Sequence, residues 1–203
     1  MSLLVALNLA LVACGGGGSD GATGAEGSAG EASPEPVTQT ITGEAVLPAG
    51  EANCGELGMK EVATERLSLI RAQPQVCGGL GRYPAAGRVR WNAQLYEAAQ
   101  VHSLDMANRS YFEHDGSAQD TPAQRVTNTG YRYVRVAENI ARGPASSARK
   151  GLLDTAAAMK LWQESPPHCA NLMSPSVTEI GLACVVNRSN VRYWTLVLAR
   201  PAS

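Results

Sequence analysis

Residues 178–199 read TEIGLACVVNRSNVRYWTLVLA. Two apolar runs, 178–186 and 191–199, flank the polar loop Asn187-Arg188-Ser189-Asn190. Runs of this length, rich in β-branched and aromatic residues and joined by turn-forming ones, predict a β-hairpin. Alternate residues of a strand point to opposite faces. Here both sets are largely apolar, so both faces of the sheet need cover. With helical patterns before and between the strands, the expected class is α+β. The expected architecture is a three-layer α-β-α sandwich with a small, mainly antiparallel sheet between helices.

The covering helices lie upstream. Met59, Val62, Ala63, Leu67 and Ile70 recur at helical spacing and predict a helix over 57–72, ending before Pro74. Asn92 is an N-cap for a second helix over 93–108, with Leu95, Ala98, Ala99, His102 and Met106 on its inner face. Thr121-Pro122 opens a short third helix that Gly130 closes. A fourth covers 148–164 and stops at Pro166. Residues 131–141, YRYVRVAENIA, alternate as a strand with Val134, Val136, Glu138 and Ile140 on one face. Residues 78–90 read as a loop.

The first quarter of the chain has a different character. The 203 residues carry a formal net charge of -1. Residues 1–59 hold seven of the 18 acids and none of the 17 bases, which leaves the remainder with eleven acids and a net of +6. No aromatic residue precedes Tyr83. Residues 15–53, rich in Gly, Ser, Ala, Glu and Pro, predict a flexible acidic linker. Before it, LLVALNLALV at 3–12 is too short for a bilayer span of about 20 residues. It leads into Ala13-Cys14 and resembles a bacterial lipoprotein signal, 1–14, with lipidation at Cys14, although it lacks a basic n-region. One domain then fills 54–203. The expected location is extracytoplasmic, either secreted or as a cell-envelope lipoprotein. Membrane contact is expected through the lipid at Cys14, and the partner is an envelope or extracellular ligand. A net of +6 without a basic stripe argues against nucleic acid.

If Cys14 carries lipid, Cys54, Cys77, Cys169 and Cys184 remain, an even number suited to disulfides in an oxidising compartment. Three pairings exist. Cys169 follows a helix and Cys184 lies in a strand nearby, so Cys169–Cys184 is expected, leaving Cys54–Cys77. The second pair has a difficulty. The intervening helix of about 16 residues spans about 24 Å, which short flanking segments must retrace. A tetra-Cys zinc site is disfavoured because no C-x-x-C occurs.

Three histidines and two carboxylates attract attention. His102 lies on an apolar helix face, where a hydrogen-bonded core histidine is the ordinary reading. Glu138 sits mid-strand among Val and Ile, where its charge needs a partner such as one of 14 arginines. Glu113-His114 fall in a loop, and His168 follows the rigid turn Ser165-Pro166-Pro167; solvated loop residues are the ordinary reading there. Taken together, His102, Glu113, Glu138 and His168 form a candidate tetrad for a divalent ion, with Zn²⁺ the ion expected. His102 and His168 would be the ligands, with Glu113 or Glu138 nearby. No H-E-x-x-H, G-x-S-x-G or P-loop is present.

These residues and their surroundings resemble the CAP family, also called the SCP domain, of cysteine-rich secretory proteins, antigen 5 and pathogenesis-related proteins. The resemblance spans about 57–200 and is nearest the secreted bacterial branch. It rests on LIRAQ at 69–73, RWNAQLYEAAQVHSLDMA at 90–107, YFEH at 111–114, AENIA at 137–141, LWQESPPHCANLM at 161–173, TEIGLACV at 178–185 and YWTLVLARP at 193–201. It implies an α-β-α sandwich with a two-His, two-Glu cleft, which by motif falls on His102, Glu113, Glu138 and His168. Some relatives are reported to bind zinc, other divalent ions, lipids or sterols, and no single activity unites them. Ala137 and Pro167 depart from glycine in many relatives. The implied function is a ligand-binding or interaction module with a metal-capable cleft. The alternatives are a metal-assisted hydrolase using Glu113 or Glu138 as general base, and lipid or sterol binding.

Overall fold

The computed structural model describes residues 52–145 and 153–203. The expected signal with Cys14, the linker up to residue 51 and the opening of the expected fourth helix lie outside the described residues.

Helix α1 is Met59–Arg71, with Met59, Ala63 and Leu67 buried. Val62, expected on that face, sits on its flank at 38% exposure. Helix α2 is Ala93–Arg109, and its five expected inner residues are all buried. Asn92 Oδ1 accepts from the amides of Gln94 and Leu95, capping its first turn. Helix α3, Pro122–Asn128, opens with a reciprocal box: Thr121 Oγ1 accepts from Gln124 N, and Gln124 Oε1 accepts from Thr121 N. Strand β4 is Tyr133–Pro144, helix α4 is Thr155–Glu164, and strands β5 and β6 are Glu179–Val186 and Val191–Pro201.

Pro166 was expected only to stop a helix. Helix α4 does end before it, at Glu164, and Pro166 also begins helix α5, Pro166–Met173. First-turn amides have no intrahelical acceptor, so a residue without an N–H is tolerated there, and its fixed φ suits the helix. His168 therefore lies in the first turn of a helix and not in a rigid loop. Pro167 is accommodated in the same way, and Ala137 pairs regularly with Leu198, so neither departure from glycine sits at a positive φ.

Strands β1 (Gln75–Val76) and β2 (Arg82–Tyr83) form a small separate pair. The main sheet runs β3-β5-β6-β4, where β3 is Arg90–Trp91. Its β5–β6 and β6–β4 pairs are antiparallel, and β3–β5 is parallel. Two residues carry no period, which is why β3 was read as loop. A bulge between Tyr133 and Arg135 breaks the alternation expected in β4 and leaves Val134 exposed. One core joins α1, α4 and α5 to Ile180, Leu182, Trp194 and Leu196; the other joins α2 and α3 to Ala183, Tyr193 and Val197. Alternate residues of the same strands thus feed opposite cores, and the three-layer architecture follows. Gly181 lets α2 seat against β5, since a Cβ there would lie 2.0 Å from Tyr96 N.

The disulfides correct the expected pairing. They are Cys54–Cys184 and Cys77–Cys169, with Cα separations of 5.2 and 5.4 Å. Ala52–Cys54 runs along β5 beyond the end of β3: Cys184 N donates to Ala52 O, and Cys54 N donates to Cys184 O. Backbone pairing thus puts Cys54 beside Cys184. This pairing involves Ala52 and Asn53, the last residues of the expected linker. Cys169, on α5, packs instead with Cys77 and Met173 in a small separate cluster. Helix α1 stands between Cys54 and Cys77, so the difficulty with that pair decides against it.

Buried Arg71 closes this side. Its guanidinium donates to the carbonyls of Gly87, Leu172, Ser174 and Val177, tying α1 to the last turn of α5 and to the loops before β3 and β5.

Candidate functional site

The edge of β4 brings four elements together. Glu138 faces α2 and α3, because its register partner Val197 belongs to that core. Its side chain is 2% exposed, so its charge requires partners. Arg125, on α3, supplies one: its NH2 group donates to Glu138 Oε2 at 2.9 Å and to His114 O at 2.8 Å. The NH1 group donates to Asp120 O and Oδ2. His114 Nδ1 supplies the other, donating to Glu138 Oε1 at 2.9 Å. Arg125 therefore holds the carboxylate and the loop that carries the histidine at the same time.

His102, on the third turn of α2, is fully buried. Its Nε2 donates to the main-chain carbonyl of Glu113 at 2.9 Å. The same nitrogen lies 3.8 Å from Glu138 Oε1, too far for a hydrogen bond. Burial outweighs that carboxylate's attraction and holds the His102 pKa below the ordinary value, so the ring is neutral. Its Nδ1 has no hydrogen-bond partner among the described residues. His114 behaves oppositely. Half of its side chain is exposed, and the hydrogen bond to Glu138 raises its pKa against the effect of burial.

His168 approaches from the other side of the sheet. Asn139, next to Glu138 in β4, donates to His168 O at 3.2 Å and accepts from Asn171 at 2.9 Å, docking the first turns of α5 on the strand. Burial lowers the His168 pKa, and the charge on His114 lowers it further. The two rings are thus electrostatic neighbours.

Of the expected tetrad, His102 and Glu138 are brought together, and His168 lies beside their network. Glu113 is not part of it. Its side chain is exposed, and only its carbonyl reaches His102. A cavity of about 530 Å³ opens there, lined by Tyr111, Glu113, His114, Asp115 and Ser117 among others. The accessible histidine is His114, which sequence reasoning left as a solvated loop residue, and the ion partner is Arg125. Periodicity does not reach a loop histidine. The need for an arginine beside Glu138 was legible, but not which of the 14 it would be.

The expected metal set does not fit this geometry. His102 Nε2 faces a carbonyl in a sealed position, and both oxygens of Glu138 are engaged. Among the described residues, no three His, Cys, Asp or Glu side chains form a group that could hold an ion. The imidazoles with room for a further partner are His114, whose Nε2 has no partner among the described residues, and the half-buried His168.

The profile of the cysteine-rich secretory protein family, CAP, matches residues 79–198. The uncharacterized protein YkwD of Bacillus subtilis is 29% identical over 101 residues, which are 50% of this chain and 35% of that protein. An extracellular protein containing an SCP domain from Bacillus anthracis superposes with a TM-score of 0.54 at 22% identity, over 70% of this chain and 40% of the other. An outer surface protein of Borrelia burgdorferi superposes with a TM-score of 0.56 at 14% identity, over 71% and 93%. This chain therefore covers well under half the length of the two Bacillus proteins.

Proposed function

We propose, from the premise that this chain belongs to the cysteine-rich secretory protein (CAP) family, that it is an extracytoplasmic binding module whose ligand docks at the β4 edge against His114 and His168. Two disulfides and the extracellular relatives support an oxidising compartment outside the cytoplasm. A lipid anchor at Cys14 would hold the module at a membrane.

One observation carries the binding reading. Glu138 fixes His114 through Nδ1 and so orients Nε2, an arrangement that elsewhere prepares an imidazole to bind a metal ion. The cleft is accordingly metal-capable through His114 and His168, with the remaining positions filled from outside the protein. The hydrolase reading fits less well. Glu138 has both oxygens engaged, which leaves the exposed Glu113 as the candidate base.

The test is a Zn²⁺ titration of chelator-treated protein, read by calorimetry and by the ring resonances of the three histidines. His114 and His168 should shift together, His102 should stay fixed, and H114A or H168A should weaken binding at least about tenfold. Saturable binding that leaves the His114 and His168 resonances unmoved, or no binding at all, refutes the metal-capable cleft.

A further inference from the structure

At the far end of β4 the sheet carries a feature that the cleft does not use. Arg135 and Arg200 are register partners on β4 and β6, so their side chains stand opposite each other on one face. Arg132 is one step further along the same strand pair, its carbonyl accepting from Ala202 N. All three side chains are exposed, and none has an ion pair or hydrogen bond among the described residues. Like charges directly opposed across a strand pair are destabilising. Among the described residues, no acidic side chain pairs with them. Glu179, on the neighbouring strand, has its oxygens taken by Arg90, Asn92 and Tyr131. Glu138 is buried toward the opposite core.

Beside the pair is a concavity of about 400 Å³, lined by Val134, Thr178, Arg200, Pro201, Ala202 and Ser203. Of the three arginines, Arg200 lines it, and it adds the hydroxyl side chains of Thr178 and Ser203. Planar guanidinium forks match the oxygens of a tetrahedral oxyanion and can bind it through paired N–H groups. A doubly charged anion seated between Arg135 and Arg200 would turn their repulsion into attraction. Val134, Pro201 and Ala202 supply the apolar part of its lining.

We propose that Arg135, Arg200 and Arg132, with Thr178, form a binding site for a phosphate group, separate from the histidine cleft. The group could arrive on a soluble phosphate compound or on a lipid headgroup, because both present the same tetrahedral oxyanion. The site uses the opposite face of β4 from Glu138, so occupation does not require the cleft to change.

Pyrophosphate is the probe, titrated by calorimetry at low ionic strength into the full chain. Wild-type protein should bind saturably. R135Q and R200Q should each weaken binding by about tenfold, the weight of one charge-assisted hydrogen bond. R200E should abolish it while raising the melting temperature of the free protein, because it removes the like-charge pair. Either glutamine variant suffices if the other fails to fold. A second arm floats the protein with phosphatidylcholine vesicles with and without phosphatidylglycerol. Capture by the anionic vesicles alone, lost in R135Q/R200Q, assigns the site to headgroups; pyrophosphate binding without capture assigns it to soluble phosphates. Pyrophosphate affinity and vesicle capture both equal in wild type and R135Q/R200Q, or absent from wild type, overturn the proposal.

Discussion

On the side of α1, α4 and α5, the sheet is covered by Leu67, Met159, Trp162 and Leu172, and both disulfides lie there. On the side of α2 and α3, Leu95 and Met106 pack with Ala98, Ala99 and Ala107 against Ala183, Tyr193, Val197 and Ala199. Buried charge is also handled differently. Arg71, on the first side, is held by four main-chain carbonyls. Arg192 is fixed there by the carbonyls of Leu153 and Cys54 together with Glu56. On the second side, buried Glu138 is held by the side chains of Arg125 and His114, and the neutral His102 lies beside it on the Glu113 carbonyl. The first layer is held mainly by main-chain carbonyls, with the Glu56 carboxylate added at Arg192. The other holds a polar network whose members answer to each other's charge, and the proposed binding edge draws on it.

The largest effect that would break this comparison comes from Arg125. Arg125→Met leaves Glu138 buried without its guanidinium and should destabilise the protein by about 3–5 kcal/mol, the usual cost of breaking a buried pair. Adding Glu138→Gln removes the stranded charge and should recover much of the loss. Arg71→Met has no such rescuer, because its partners are main-chain carbonyls. Urea denaturation of the two single variants and the double variant reads both outcomes. A double variant no more stable than Arg125→Met would mean that the network is not organised around that pair.

A smaller loss is expected from the first side. Cys77→Ser/Cys169→Ser opens a bridge between residues 92 apart in sequence. It should cost about 2–4 kcal/mol, mainly by releasing the unfolded chain. The His114 ring resonance should be nearly unchanged, since that bridge joins the loop after α1 to the buried side of α5. A displaced His114 resonance would show that the two layers are not independent. Non-reducing peptide maps should recover Cys77 joined to Cys169, and Cys54 joined to Cys184.

How far the sequence reached follows the same division. The hairpin at 178–199, the inner face of α2 and the caps at Asn92 and Thr121 were legible because each is a local pattern with a local cause. The disulfide partners were not. They depend on Ala52–Cys54 running along β5, a long-range pairing without a sequence period. Glu138 and His102 stood out because a polar residue on an apolar face needs an explanation. His114 did not stand out, because its position depends on the loop that Arg125 holds. Pro166-Pro167 correctly marked the end of α4 at Glu164 but gave no sign of the start of α5, since proline suits a first turn as well as it stops a last one.

The smallest effect is the most specific to the polar layer: the dependence of stability on pH. His102 and His168 have folded pKa values below the ordinary 6.5, chiefly through burial. The stability they permit is present above about pH 6.5 and is lost as pH falls through their folded values, because the unfolded chain takes up those protons first. His114 has a folded pKa above 6.5 through its bond to Glu138. Its contribution is full below about pH 6.5 and is lost as pH rises through the folded value. The two tendencies oppose each other, so metal-free protein should lose stability toward acid less steeply than His102 and His168 alone would dictate. Glu138→Gln removes the hydrogen bond that raises His114 and the charge that attracts a proton to His102. Both changes lower histidine pKa values in the folded state, so the variant should lose stability toward acid more steeply than wild type, each measured against its own value at pH 7.5. The offset from leaving Arg125 without its carboxylate does not titrate in this range and drops out of that slope. Denaturation from pH 5 to 8, with ring titrations of His114, reads the sign directly. A variant slope equal to or shallower than wild type would mean that Glu138 does not set the protonation of this edge.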